Sequence, residues 1–276
     1  MKTFSFLVGC FLFFSCVSGR EKIFTGSTPA NHVIRNFLGI SLADSIDFIR
    51  WKLSFDQTKY SLSANYGIGK PNTNGFIAGG KWARFSGELK KGKDIYWLTN
   101  GNRAIELAIL NDEVLHLVNP GGSLMRGTAG WSYTLSIEKS SATNPLHFVP
   151  KKFILKDSMA YEGRTPCLDF ADIQKGKDCY KLKWSIVLFA DPTTNTPAGF
   201  RLRGTAVQHQ SKTGTWVGGW TKSSTGNERI VYQLNLEEGK PLYFILPDEN
   251  ILLLTDNEGN LLVGNEDFSY TLNRKN

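Results

Sequence analysis

The chain repeats itself, and the repeat decides most of what it can fold into. Asn250 to Arg274 lies without a gap on the stretch that begins at Glu113, at the offset that separates Ser269 from Ser132, 137 positions. Leu252 falls on Leu115, Leu254 on Leu117, Gly259 on Gly122, Leu261 on Leu124 and Gly264 on Gly127, and Phe268 falls on Trp131. Ser132-Tyr133-Thr134-Leu135 is then identical to Ser269-Tyr270-Thr271-Leu272. The same offset lays Phe24 to Pro29 on Tyr161 to Pro166, sharing Gly, Thr and Pro. Two matches at one offset, far apart in the chain, point to one module used twice.

The module reads as β. Ile251 to Leu254 is a short apolar run, Asp256 to Asn260 is a cluster of turn residues, and Leu261 to Val263 follows. Such runs bounded by such clusters predict two strands and a loop. Gly122 and Gly259 fall where the turn needs a positive φ. The last strand alternates, with Phe268, Tyr270 and Leu272 expected inside and Ser269, Thr271 and Asn273 expected to be wet. Between these ends come short strands with turn signals about every ten residues, the spacing of a sandwich or barrel. Trp184 is matched to Trp51, Phe200 to Gly204 with Tyr60 to Ala64, and Gly214-Thr215-Trp216 with Gly80-Lys81-Trp82. Ile230 to Leu234 answers Ile95 to Leu98, and Leu242 to Leu246 answers Ile105 to Ile109. In that matching Trp220 has no partner (Ser86 stands in the same region), which makes it the candidate exposed aromatic. Asn31 to Ala43 is open between loop and one or two helical turns. Phe153 to Leu155 is read as a possible extra strand.

The fold class expected is therefore all-β, two tandem small antiparallel barrels. Residues 1–19 are read as an export leader, 20–137 as the first repeat, 138–160 as a linker with a polar first half, and 161–276 as the second repeat. The leader has Lys2 before an apolar run, Phe4 to Phe14, too short to span a bilayer as a helix. Cleavage before Cys16 would make the protein a lipoprotein anchored through that residue; ordinary cleavage after Val17-Ser18-Gly19 is the alternative, and both export the chain. A single acyl chain anchors only marginally. In an exported chain the two remaining cysteines of the second repeat, Cys167 and Cys179, read as a disulfide worth roughly 3 kcal/mol.

The formal charge of +7 sits in the leader, the first repeat and the linker: residues 24–137 have 12 Lys and Arg against 8 Asp and Glu, and the second repeat 13 against 14. Its only tight basic run, Lys90-Lys91-Gly92-Lys93, is expected at a hairpin tip, and no nucleic-acid motif goes with it, so no nucleic-acid partner is expected.

Tyr161 to Cys167, with its Gly-x-x-Pro-Cys core, resembles the opening of the N-terminal domain of the envelope lipoprotein NlpE, a family labelled for copper resistance. Gly214-x-Trp216, the strand Ile230 to Leu234 and the closing hairpin through Tyr270-Thr271-Leu272 are similar to the rest of that domain. The resemblance covers most of the second repeat and, more loosely, the first. It implies a small lipocalin-like barrel on an exported lipoprotein, with a role in adhesion or stress sensing. The family carries Cys-x-x-Cys at the first turn; here Leu168, Asp169 and Phe170 follow Cys167, which removes the close thiolate pair that copper or redox chemistry would use.

Other chemistry is thinly provided. His32, His116, His147 and His209 are scattered, and Met1, Met125 and Met159 make no soft-metal cluster, so neither metal nor cofactor is expected. No Gly-x-Ser-x-Gly or phosphate-binding loop occurs. Asp248-Glu249, Asp256 with Glu258, and Glu266-Asp267 are expected as solvated turn residues. The function expected is non-enzymatic: an envelope lipoprotein, membrane-anchored on the periplasmic or surface side, that binds or senses a small ligand or surface stress. The alternative is a protein–protein module of an envelope complex.

Overall fold

The structure, a computed structural model, describes residues 21–68, 75–86, 92–139, 146–148, 150, 153–168, 179–207, 211–224, 230–237 and 239–275. The leader with Cys16, the pair Lys90-Lys91 and the polar first half of the linker lie outside the described residues. The first repeat contains β1 (Lys22–Pro29), α1 (His32–Leu38), β2 (Phe48–Phe55), β3 (Lys59–Gly67), β4 (Gly75–Phe85), β5 (Ile95–Asn100), β6 (Arg103–Asn111), β7 (Val114–Val118) and β8 (Thr134–Ile137). The second contains β9 (Ser158–Thr165), β10 (Lys181–Asp191), β11 (Thr196–Val207), β12 (Lys212–Ser224), β13 (Ile230–Leu236), β14 (Leu242–Asp248), β15 (Ile251–Thr255) and β16 (Thr271–Arg274). Each set closes into an eight-stranded antiparallel barrel, β8 returning to β1 and β16 to β9. Closure leaves no free sheet edge.

The middle of each barrel is packed with side chains, as barrels of eight strands commonly are. Inward residues of alternate positions, such as Trp51, Leu53, Leu62 and Leu115, form the first core, and Trp184, Ile186, Leu202 and Leu252 the second. Each core tryptophan keeps its polar handle satisfied in the same way: Trp51 Nε1–H donates to Thr28 Oγ1 and Trp184 Nε1–H to Thr165 Oγ1, both at 2.8 Å. Gly122 and Gly259 have φ of 82° and 81°, the conformation expected of that turn.

Between β1 and β2 the ambiguous stretch is helical. Asn31 caps α1 by accepting from Ile34 N at 3.0 Å, and Gly39 ends it in the left-handed region. Ile34, Phe37 and Leu38 pack into the first core. The buried Arg35 donates to the carbonyls of Ala30, Ser41, Leu42, Asp44 and Ile46 and so ties the loop down. The same connection in the second barrel is closed by a disulfide between Cys167 and Cys179. Phe153 to Leu155 is not a strand; its backbone is taken up by a side chain, Asn195 Oδ1 accepting from Leu155 N at 2.8 Å.

The outward face of the closing strands is not wet. Ser132, Thr134, Ser136, Ser269, Thr271 and Asn273 are all buried, because β8 and β16 face each other across the barrels. Ser132 Oγ meets Ser269 Oγ at 2.6 Å and Thr134 Oγ1 meets Thr271 Oγ1 at 2.9 Å. Gly127 N donates to Asn273 Oδ1 and, at the equivalent positions, Gly264 N to Ser136 Oγ. Equivalent residues that touch each other, with reciprocal pairs around them, define a two-fold relation between the repeats. Flanking this polar seam is a third apolar core made of outward side chains: Ile95, Ala108, Val114 and Leu124 against their counterparts Val231, Ile245, Ile251 and Leu261, with Phe148 of the linker added. The run Ile251 to Leu254 is continuous in apolar character for this reason: Leu252 and Leu254 face the barrel interior, while Ile251 and Leu253 face the other barrel.

Candidate functional site

The candidate site is at the end of the second barrel opposite the disulfide. Two hairpin ends meet there: the β10–β11 turn with Asn195, and the β12–β13 hairpin, whose two legs carry Lys222 and Ile230. Pro150, Phe153 and Leu155 line the same opening. Asn195 holds the last of these through its bond to Leu155 N and does so from a φ of 55°, the left-handed region that asparagine tolerates. A cavity of about 160 Å³ lies beneath, walled by Pro150, Phe153, Leu155, Ile230 and Leu246, with Asn195, Lys222 and Tyr232 as its polar groups.

The floor is aromatic. Tyr232 packs on Trp220 with ring centroids 5.2 Å apart and on Phe244 at 5.4 Å. Burial pushes the Tyr232 hydroxyl up from its ordinary pKa, so it stays protonated at neutral pH. Trp220 is 2% exposed and donates Nε1–H to Phe189 O at 2.6 Å. It therefore packs behind the lining Tyr232 and is not the exposed aromatic expected of it. The strand register also supplies its partner: Trp82 stands opposite Leu98 as Trp220 stands opposite Leu234, and Trp82 Nε1–H donates to Asp56 O as Trp220 does to Phe189 O. The tryptophan of the second barrel without a matched tryptophan is Trp216, at the place of Ala78. Its neighbour Gly214, at the place of Phe76, has room for no side chain, since a Cβ there would stand 2.2 Å from the Trp216 ring.

In the first barrel the corresponding mouth is filled. Phe55 packs between Trp82 and Tyr96, at 5.6 and 4.7 Å. The register puts Leu188 at the place of Phe55 in the second barrel, so the ring that packs between Trp82 and Tyr96 has no aromatic counterpart beside Trp220 and Tyr232. A wider depression, about 380 Å³, lies beside the disulfide between Tyr180, Asn265 and Tyr270. It is a shallow dish, and it retains a small molecule less well than the more enclosed mouth.

The other sequence candidates are dispersed. Among the described residues no group of three or more His, Cys, Asp or Glu is placed to hold a metal ion. The sulfurs of Cys167 and Cys179 are bonded to each other and in that state supply no thiolate. His116 is buried in the seam, its Nε2 at 2.8 Å from Met125 O and its Nδ1 at 2.9 Å from Thr134 Oγ1. Asp256 caps its own turn, accepting from Glu258 N and Asn260 N. Glu266 and Asp267 are more than solvated turn residues: both pair with Arg50 of the first barrel, and Ser27 Oγ donates to Glu266 O at 2.7 Å. The chain matches no family model, no curated protein and no solved structure. The site is therefore judged by its own geometry.

Proposed function

We propose that the protein is a non-catalytic, exported envelope lipoprotein that holds a small, mainly apolar ligand in the mouth of its second barrel. The observation that carries the ligand reading is the partly enclosed, mainly apolar cavity with three polar groups at its wall, the usual character of a small-molecule site. Its volume sets the size: an apolar cavity of about 150 Å³ takes up benzene. The ligand class is a small aromatic ring or a short hydrocarbon chain whose polar end meets Lys222 or the Tyr232 hydroxyl. The export and anchoring part of the reading is supported by the leader, by Cys16 and by the resemblance of the second repeat to NlpE.

The test of the ligand site is titration with benzene and with short alkanoic acids, read by the fluorescence of Trp220 behind Tyr232. Saturable binding that Leu246→Trp abolishes, with the melting temperature kept, supports the site. Unchanged binding in that variant, or none in the wild type, ends the proposal. The anchor is tested separately by the intact mass of protein taken from its native envelope. A chain starting at Cys16 with acyl mass added supports it, and an unmodified chain starting at Arg20 overturns it.

A further inference from the structure

The second repeat has no excess of positive charge, 13 basic against 14 acidic residues, yet its charges are sorted. Asp191, Asp248, Glu249, Asp256, Glu258, Glu266 and Asp267 sit at hairpin ends. The outward faces of β9, β10 and β11 carry Arg164, Lys183, Arg201 and Arg203 in neighbouring positions. Arg164 stands directly opposite Lys183 in the ladder, and Arg203 opposite Ser185, one outward position along from Lys183. Like charges directly opposite each other are locally destabilising. Among the described residues none of the four forms an ion pair. Arg164 lies over the Trp131 ring at 5.6 Å, while Lys183, Arg201 and Arg203 are exposed. Lys181, at the rim of the group, has its pKa lowered, first by burial and then by Arg164 and Lys183. The carboxylate on this face, Glu162, is matched by Lys275 at 3.7 Å.

The first barrel is an internal control. At the positions of Arg164, Arg201 and Arg203 it has Ser27, Ser61 and Ser63, and at the position of Lys183 it has Arg50. Arg50 is neutralised by Glu266 and Asp267; at their equivalent positions the first repeat has Ala129 and Gly130, so Lys183 is left without that partner. The same barrel therefore closes with hydroxyl residues at three of these sites, and packing does not require cations there.

We infer that the outer face of β9 to β11 is a docking surface for a membrane rich in anionic lipid headgroups. The face is the outer side of three paired strands, on which the cations stand side by side. Its cations are spaced by strand pairing, about 5 Å across and 7 Å along, which suits a dense array of headgroups. Val217, 56% exposed, stands opposite Arg201 on β12 and adds an apolar contact to the charged rim. Val187 is the other neighbour of Arg201 and is partly exposed. The aromatic rings that flank the face are already engaged, Trp131 by Arg164 and Tyr180 by Lys181 and Phe268, so they offer no open row on which successive nucleic-acid bases would stack.

The test is co-sedimentation of the purified protein with vesicles of phosphatidylcholine alone and with phosphatidylglycerol added, at low and high salt. The variant is Arg201→Ser with Arg203→Ser, which places on the second barrel what the first already carries. Preferential binding to the anionic vesicles is expected, falling with salt, and each cation removed should lower it roughly fivefold. The double variant should then bind about 25-fold more weakly while melting as the wild type does. Equal binding to both vesicle types, or a variant that binds as the wild type does, overturns the inference. Binding to a DNA oligonucleotide but not to vesicles overturns the lipid assignment.

Discussion

The two barrels share a frame and differ at their ends. The tryptophan bonded to a threonine, the positive-φ glycine of the closing hairpin and the polar outer row of the last strand occur in both. At one end the first barrel is capped by α1 and the Arg35 network, the second by a disulfide. At the other end the first is filled by Phe55, Trp82 and Tyr96, while the second keeps a cavity. On the outer face three serines of the first are three arginines of the second. The strand frame is thus what folding requires, and the ends and outer faces are where the copies are free to diverge.

Four measurements sharpen or break that comparison. The largest effect is expected from the disulfide. Replacing Cys167 and Cys179 by Ser should cost about 3 kcal/mol on the chain-entropy model, and hydrogen exchange should place the loss in β9 to β16. Equal loss of protection in β1 to β8 would show that the barrels unfold as one unit.

Next is acid. His116 has Leu253 as its counterpart, so only the first barrel carries this group. Burial pushes its imidazole down to about 4, although the bond to Met125 O pulls the other way, while its ordinary value is 6.5. Between those values the unfolded chain binds a proton that the folded one refuses. The stability this group protects is whole above pH 6.5 and drains as pH falls toward 4. Between pH 7 and 4.5 the loss should exceed roughly 2 kcal/mol. Urea unfolding at both pH values, for wild type and His116→Leu, isolates it; equal slopes would remove His116 from the account.

Gly127→Ala and Gly264→Ala probe the two-fold relation. A Cβ would stand 2.2 Å from Trp131 O in one and 2.5 Å from Phe268 O in the other. Each should cost about 2 kcal/mol, and a large inequality would break the equivalence. The smallest effect separates the two threonines of the seam. Thr271→Val removes one hydroxyl that meets Thr134 and should cost about 1 kcal/mol. Thr134→Val also deprives His116 Nδ1 of its partner and should cost about 1 kcal/mol more; chemical denaturation of both variants reads the difference.

The fold was legible because the repeat carries its own check: Ser-Tyr-Thr-Leu twice, with a hairpin before it. The seam was not. Ser269, Thr271 and Asn273 alternate with apolar residues, and period 2 assigns them to solvent. Polarity states only that a side chain needs a partner, and here the partner is the same polar row of the other copy. Trp220 was misplaced because a Gly-x-Trp match spans too few residues to fix a register. The exchange of Phe76 and Ala78 for Gly214 and Trp216 moves the large aromatic side chain two positions along the strand and sets a Gly-x-Trp where the first copy has Phe-x-Ala. The mouth cavity gathers Leu155, Asn195, Lys222, Tyr232 and Leu246, residues far apart in the sequence that come together only once the strands are paired. The basic face was hidden by a near-zero sum of charges.

The two-fold seam has a consequence for history. A free-standing copy of this module would expose an apolar patch and a self-complementary row of hydroxyls, and would close on a second copy as a homodimer. In a homodimer each substitution is made twice, so three new arginines would be six. Joining the copies into one chain ended that constraint. One half became free to keep a plugged, serine-faced barrel while the other opened a mouth and charged its flank.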